Sequence, residues 1–160
     1  MDDAFALRLE DYQCENGGIV IANPNAPTGI RQSEEFLRAV IEANPNVVVI
    51  IDEAYADFSG YTALPLVDEY ENVVVVQTFS KSRSMAGMRI GHAIGNAKLI
   101  KAMNDVRYSF NSYPMTRLSV ALGVAALSDQ DYFEETTAKI VATRAVSYTH
   151  LRAHETRSNL

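Results

Sequence analysis

The amino-acid sequence predicts an α/β fold in which a mostly parallel sheet is flanked by helices, and three observations predict it. Short apolar runs suited to strands alternate along the chain with segments of helical periodicity. Two of those runs, 47-VVVII-51 and 73-VVVV-76, are unbroken, which indicates strands buried on both faces, as in a parallel sheet. The 160 residues are 48% hydrophobic and 21% charged, enough for one domain with a sizeable core.

Turn and cap residues divide the chain into elements. Ser33 is a candidate N-cap because acidic residues and an apolar face follow it. Pro114 suits the first turn of a helix, and the short loop before the last strand predicts antiparallel pairing there. In chain order, the predicted elements are a strand at 19–22, a helix at 34–44, a strand at 47–51, a helix at 63–71, strands at 73–78 and 90–95, and helices at 96–110, 114–128 and 129–144.

Composition and charge exclude several classes of function. The net charge of −6 argues against nucleic acid, whose backbone is bound by clustered Lys and Arg. No apolar run approaches the roughly 18 residues of a membrane span. Cys14 is the single cysteine, and the first residues lack the basic and apolar regions of a signal peptide. The sequence therefore predicts a cytoplasmic protein with no nucleic-acid or membrane partner.

Three polar loops follow the predicted strands, at the edge where α/β sheets bind ligands. The first, 23-NPNAPTG-29, offers Asn23, Asn25 and Thr28 as hydrogen-bonding side chains, although a plain strand-to-helix turn has the same composition. In the second, Asp52 directly follows five apolar residues, and a carboxylate there needs a cation or several donors. A helix N-cap or a neighbouring arginine is the alternative explanation.

The third loop, 78-TFSKSRSMAGMRIG-91, places Lys81 just past a buried strand. Desolvation there favours a neutral amine, which can form a Schiff base. Thr78, Ser80 and Arg89 suit a phosphate, because hydroxyls donate hydrogen bonds and a guanidinium binds in a bidentate manner. The sequence G-x-x-x-x-G-K-[ST] is absent, so this is not a nucleotide P-loop. A solvated basic loop is the alternative.

One ligand satisfies all three loops. It has a carbonyl for Lys81, a cationic ring nitrogen for Asp52, a hydroxyl for Tyr55 and an asparagine, and a phosphate for Arg89 with its neighbouring hydroxyls. Pyridoxal 5′-phosphate carries all four groups. The sequence therefore predicts this cofactor.

The motifs NPNAPTG, DEAYADF and TFSKSRSMAGMRIG, together with 107-RYSFNSYPMTRLSVALGVAAL-127, resemble those of the fold-type I pyridoxal-phosphate aminotransferases, and within them the histidinol-phosphate aminotransferases. The resemblance runs from about Phe5 to Arg144. It implies transamination between L-histidinol phosphate and 2-oxoglutarate, giving imidazole acetol phosphate and L-glutamate, in histidine biosynthesis. It also implies that the intact enzyme is a homodimer.

The resemblance implies a role for each candidate residue. Lys81 carries the cofactor and moves the proton between substrate and cofactor, while Asp52 pairs with the pyridinium nitrogen. Tyr55 donates to the phenolic oxygen, and Arg89 holds the phosphate with the two hydroxyls named above. Many relatives have an asparagine directly before Pro-Thr-Gly, where this chain has an alanine. Asn25, or else the earlier asparagine of the same loop, is expected to take over that contact with the phenolic oxygen.

Members of this family are longer than this chain, so the chain is expected to be part of one, with Met1 as an internal position or late start. Residues 1–113 are predicted to form the C-terminal part of the cofactor-binding large domain, and 114–145 the helices leading toward a small domain. Residues 146–160 are predicted to be a tail foreign to the family, of adapter or vector origin. Because part of the phosphate cup and the small domain are then missing, the chain alone is expected to be inactive.

Two other functions stay open. A different fold-type I enzyme, such as an aromatic aminotransferase or a threonine-phosphate decarboxylase, shares the lysine, aspartate and arginine, and substrate profiling distinguishes it. The second alternative is a cofactor-free α/β module whose loops bind an anion or a protein. The reaction of Lys81 with pyridoxal phosphate distinguishes an enzyme from such a module.

Overall fold

A computed structural model describes residues 5–153, which form a four-stranded sheet with helices packed against it. The strands are β1 (Ile19–Ala22), β2 (Val49–Asp52), β3 (Val73–Thr78) and β4 (Gly91–Gly95). The helices are α1 (Glu34–Ala43), α2 (Leu66–Glu69), α3 (Ala97–Phe110), α4 (Arg117–Ser128) and α5 (Gln130–Ala153). Short 3₁₀ turns at Leu9–Tyr12, Ala56–Phe58 and Ala86–Met88 complete the regular structure of this range.

The strands are ordered β1-β2-β3-β4, with the first three parallel and β4 antiparallel to β3. This confirms the predicted α/β class and the mostly parallel sheet. α1 and α2 are the crossovers that parallel pairing requires. In register, Ala22 lies beside Asp52, and Asp52 lies beside Val76, so the three parallel strands reach the same edge of the sheet.

Two predicted helices have different bounds in the structure. The predicted helix 63–71 is reduced to the single turn of α2, after which Tyr70 has an extended backbone. α5 runs beyond its predicted end to Ala153, since neither glycine nor proline interrupts it. The end of the predicted tail, 154–160, lies outside the described residues.

α1 supplies the main hydrophobic core, on one face of the sheet. Ser33 caps it as predicted, its hydroxyl accepting a hydrogen bond from the amide of Phe36. Leu37, Val40 and Ile41 form the buried face of the helix. They belong to one core cluster with alternate residues of the strands: Ile19, Ile21, Val49, Ile51, Val73 and Val75.

The intervening strand residues point to the opposite face of the sheet. There Val74 is buried, whereas Val20 is 67% exposed. The burial on both faces that was predicted for the unbroken runs therefore holds at Val74 of β3, whereas β1, to which that prediction did not apply, leaves Val20 uncovered by the described residues.

α3 and α4 expose many apolar side chains, and Val106, Phe110, Tyr113 and Leu118 are each more than half exposed. The accessible surface of the chain is 11004 Å², whereas a compact protein of this size exposes about 7,900 Å². Even so, no helix in the described part of the chain is long and apolar enough to cross a membrane. The chain thus presents about 3,000 Å² of surface beyond that of a compact monomer.

Arg38 on α1 ties that helix to α2. Its guanidinium binds Glu69 in a bidentate manner, with Nη1–Oε2 and Nη2–Oε1 distances of 2.5 and 2.7 Å. These hydrogen bonds from Arg38 hold the pKa of Glu69 below its ordinary value. The stability that the Arg38–Glu69 ion pair gives to the packing of α1 against α2 therefore depends on pH.

We expect Glu69→Gln to lower the melting temperature at neutral pH and to have no effect in strong acid. A carboxyl group whose pKa folding lowers stabilises the folded state above its unfolded-state pKa, near 4.5. That stabilisation is lost as the pH falls through the lower folded-state pKa. The difference in melting temperature between wild type and variant, measured by circular dichroism across this range, should shrink below pH 4.5 and then vanish. Asp68→Asn on the same helix is the control, and a difference that stays constant with pH contradicts the assignment.

Candidate active site

Backbone hydrogen bonds continue past the strand ends and hold the three polar loops side by side. The amide of Asn23 donates to the carbonyl of Asp52 at 2.8 Å, and the amide of Glu53 donates to the carbonyl of Val76 at 2.8 Å. The amide of Phe79 donates to Ile90 at 3.1 Å, which joins the two ends of the lysine loop. The carboxyl edge of the sheet therefore brings the loops together, as the sequence predicted.

Asp52 is the last residue of β2 and is half-buried. Since side chains alternate along a strand, it points to the opposite face from its neighbour Ile51, which lies in the core beneath α1. Its Oδ1 accepts a hydrogen bond from the amide of Ala54 at 3.0 Å. No arginine among the described residues pairs with it, and the N-cap position of the 3₁₀ turn that follows is Tyr55, so Asp52 meets neither alternative considered from the sequence.

Lys81 and Tyr55 come together above this edge. The Nζ atom of Lys81 lies 5.1 Å from the centroid of the Tyr55 ring, although the two residues belong to different loops. Lys81 is exposed, so the expectation of a desolvated amine is wrong for this chain. β3 ends at Thr78, and beyond the buried Phe79 the side chain of Lys81 is exposed although its neighbour Ser82 is buried. The amide of Ser84 donates to the carbonyl of Lys81 at 3.1 Å.

The candidate phosphate ligands also meet. Thr78 Oγ1 lies 3.0 Å from Ser80 Oγ, and the same oxygen accepts from the Ser80 amide at 3.1 Å. Thr78 Oγ1 also donates to the carbonyl of Ile90 at 3.3 Å, directly beside Arg89. Arg89 has a left-handed backbone with φ of 55°, and its exposed guanidinium donates to the carbonyl of Ala86 at 3.0 Å. Two hydroxyl groups, a backbone amide and a guanidinium group thus lie within one loop.

The two candidate asparagines differ in their surroundings. Asn25 is half-buried, and its amide donates to Thr28 Oγ1 at 2.8 Å. It lines a groove of about 680 Å³ together with Tyr55 and with Arg144 of α5. Asn23 is fully buried, and its Oδ1 accepts from the amide of Gln32 at 2.7 Å. Only Asn25 therefore shares a groove with the aromatic ring that lies under the lysine.

Glu53 is a site residue whose role the sequence did not predict. It is 3% exposed, and its carboxylate accepts from Thr62 Oγ1 at 2.7 Å, the Ala63 amide at 2.5 Å and Gln77 Nε2 at 2.8 Å. These bonds fasten the loop that carries Tyr55 back onto the sheet. A charged residue directly after a buried strand was the available signal, but the donors come from distant parts of the chain.

Two titratable groups beside the site have shifted pKa values. Burial, reinforced by the carboxylates of Glu34 and Glu53, raises the pKa of Tyr61 to about 12. Burial lowers the pKa of His92, an effect that Asp57 opposes. His92 is therefore neutral at physiological pH, and its Nε2 lies 3.0 Å from the side-chain oxygen of Gln77, the residue that also donates to Glu53.

Comparison with known proteins shows which family the sequence resembles. A family model described as aminotransferase class I and II matches residues 2–158. A histidinol-phosphate aminotransferase of Acinetobacter baylyi is 51% identical over 144 residues, which cover 90% of this chain and 40% of that protein. One from Lactococcus lactis is 50% identical over 146 residues, covering 91% of this chain and 41% of that protein. The chain thus spans about two fifths of the length of the curated relatives it matches.

Solved structures share the fold. The histidinol-phosphate aminotransferase of Clostridium acetobutylicum matches with a TM-score of 0.86 at 23% identity, covering 96% of this chain and 48% of that one. The Sinorhizobium meliloti enzyme, solved in complex with pyridoxal-5′-phosphate, matches with a TM-score of 0.73 at 32% identity, covering 81% of this chain and 35% of that one. The first likeness establishes the fold, and the second joins it to a protein that binds the predicted cofactor.

Proposed function

The chain belongs to the aminotransferase class I and II family, and on that premise we propose that it is the lysine-bearing part of a pyridoxal-phosphate-dependent histidinol-phosphate aminotransferase. The complete enzyme exchanges an amino group between L-histidinol phosphate and 2-oxoglutarate, giving imidazole acetol phosphate and L-glutamate. The observation that carries the proposal is that Lys81 lies over the ring of Tyr55 at the sheet edge where Asp52 ends β2.

The residues at this edge fit the cofactor. Asp52 has a hydrogen-bond donor to one oxygen, the Ala54 amide, and no donor to the other among the described residues, so the carboxylate is free to meet a cationic ring nitrogen. The hydroxyls of Thr78 and Ser80 lie together, as binding of one phosphate group requires. The donor set therefore matches each polar group of the cofactor.

When bound, pyridoxal phosphate supplies an electron sink for the negative charge that develops at the substrate α-carbon. Lys81 holds the cofactor covalently and, once substrate has released its amine, takes the proton from that carbon as a general base. Asp52 keeps a proton on the ring nitrogen, and Tyr55 donates to the phenolic oxygen. Arg89 binds the phosphate together with the two hydroxyls of its loop.

Asn25 is proposed to make the contact that Ala26 cannot make. Its amide nitrogen donates one hydrogen to Thr28 Oγ1, which leaves the second hydrogen for the cofactor's phenolic oxygen. Its position in the groove beside Tyr55 supports Asn25 over Asn23, whose side chain follows the buried face of β1.

The complete protein is proposed to be a cytoplasmic homodimer acting on small molecules. The excess surface of about 3,000 Å² is in the range that obligate dimers bury, and the rest of the polypeptide and a second subunit are proposed to cover it. Residues 1–113 belong in this proposal to the large domain and 114–145 to the connection with a small domain. The foreign origin of residues 146–160 remains a proposal that the neighbouring DNA sequence tests.

We expect the purified 160-residue chain to react with pyridoxal phosphate at Lys81 but not to catalyse transamination. The chain carries the lysine and the candidate phosphate ligands Thr78, Ser80 and Arg89, but it spans only 40% of the Acinetobacter baylyi relative, and the substrate-binding parts are proposed to lie in the rest. Borohydride reduction followed by peptide mass spectrometry locates the label, and a coupled glutamate assay measures turnover. Full turnover by the chain alone contradicts the proposal that it is one part of a longer enzyme. The absence of label at Lys81 contradicts the assignment of pyridoxal phosphate as the cofactor.

A further inference from the structure

Arg83 lies two residues after Lys81 and has no part in the proposed cofactor contacts. Its Nη1 donates to the carbonyl of Ala126 at 2.6 Å, in the last turn of α4, where backbone carbonyls lack partners within the helix. Its guanidinium carbon lies 4.0 Å from the ring centroid of Phe133 on α5 and 5.4 Å from that of Phe79. One side chain therefore joins the lysine loop to two helices and an aromatic pair.

The same loop is fastened on other sides. Ser82 is buried and its hydroxyl donates to the carboxylate of Asp57, in the turn that follows Tyr55. Ser119 on α4 donates to the carbonyl of Met88 at 3.0 Å. Ser82, directly after Lys81, thus ties the loop to the turn that follows Tyr55, Ser119 holds the far end of the loop, and Arg83 joins the next position along it to α4 and α5.

α4 also approaches the loop too closely for larger side chains. A Cβ atom added to Gly123 would lie 3.0 Å from the Cδ1 atom of Ile90, which contacts the helix at the far end of the loop. α4 therefore packs against the far end of the loop at Ile90 and receives Arg83 at Ala126.

We propose that Arg83 is a positioning residue that holds the Lys81 loop against α4 and α5 and so keeps the amine above Tyr55. The proposal rests on the proposed function, because the position of Lys81 matters only if the amine reacts with a cofactor. Neither Arg83 nor its partners belong to the main core cluster beneath α1, so the contact can be altered without opening that core. Lysine cannot replace it, since a planar guanidinium both stacks on a ring and donates in its own plane.

The test compares Arg83→Met and Arg83→Lys with wild type in the 160-residue chain. The first readout needs no cofactor: hydrogen exchange of the Ser84 and Met85 amides, whose acceptors are the carbonyls of Lys81 and Phe79 within the loop. The second is the share of pyridoxal-phosphate label, fixed by borohydride, that Lys81 takes in competition with the other three lysines of the chain, Lys98, Lys101 and Lys139.

Arg83→Met is expected to speed exchange of the two amides by about tenfold or more, which corresponds to about 1.4 kcal/mol of lost loop stability. It should also lower the share of label on Lys81 several-fold, with Arg83→Lys between it and wild type. Ile41→Val is the control, because it weakens the core beneath α1 and leaves the lysine loop intact. It should change neither the two amides nor the distribution of label.

Unchanged amide exchange in Arg83→Met overturns the proposal, whatever the label shows. Faster exchange with an unaltered share on Lys81 overturns it as well, since the arginine would then stabilise the loop without positioning the amine. If wild-type Lys81 takes no more label than Lys98, the proposed function fails and the positioning role fails with it, whereas a failure confined to the Arg83 variants leaves the function intact.

Discussion

Replacing Lys81 with alanine is expected to abolish transamination in a complete enzyme, lowering kcat/KM by more than about 10⁴-fold. The amine both attaches the cofactor and moves the substrate proton, and no other lysine of this chain lies beside Tyr55. A suitable complete enzyme is a chimaera in which residues 5–144 replace the matching segment of the Acinetobacter baylyi relative. Activity is measured with histidinol phosphate and 2-oxoglutarate, alongside the visible absorbance of the bound cofactor.

Lys98→Ala is the matched control, because that lysine is exposed and, within the described part of the chain, forms an ion pair with the exposed Glu71 at 3.9 Å. It should retain activity within about twofold, since exposed ion pairs contribute little. A Lys81→Ala chimaera that stays active would contradict the role assigned to Lys81, whereas an unmutated chimaera that stays colourless with excess cofactor would favour the cofactor-free module. Comparing histidinol phosphate with aromatic amino acids and threonine phosphate in the unmutated chimaera distinguishes this aminotransferase from its fold-type I alternatives.

The fold was predictable because its signals are local. Unbroken apolar runs at 47–51 and 73–76 require a covered parallel sheet, and the helices between them supply the crossovers. That Asp52 and the loop carrying Lys81 follow neighbouring strands at one edge was predictable for a related reason, since parallel strands that share a register end at one edge. Both inferences use only the order of residues along the chain.

The remaining features depend on contacts between distant segments. The hydrogen bond from Arg83 to Ala126 spans 43 residues, and no local pattern indicates it. The exposure of Lys81 follows from the path of the loop after Phe79, and the buried carboxylate of Glu53 is bonded by the Ala63 amide ten residues later in the chain. Sequence patterns thus located the reactive groups but not the contacts that hold them.

Glu53→Ala is expected to lower the free energy of unfolding by about 4 kcal/mol, and Glu53→Gln by about 2 kcal/mol. The buried carboxylate accepts from Thr62, Ala63 and Gln77, and alanine leaves all three donors without an acceptor. Glutamine restores one acceptor oxygen but places its own amide against a donor. Because domains of this size are stable by only about 5–15 kcal/mol, urea denaturation of the 160-residue chain should resolve both changes.

The partner Thr62 provides the sharper test of this network. In Glu53→Gln the new amide nitrogen can face Thr62 Oγ1. Of the three donors, Thr62 is the one that can lose its hydrogen-bonding group by an isosteric substitution, since valine has the shape of threonine. Thr62→Val should therefore cost about 1 kcal/mol in the wild-type background and less than that, or nothing, in Glu53→Gln. Glu15→Gln, an exposed glutamate near the start of β1, controls for the loss of charge. Strictly additive losses from Glu53→Gln and Thr62→Val would contradict a shared network, and the loop carrying Tyr55 would then need another anchor.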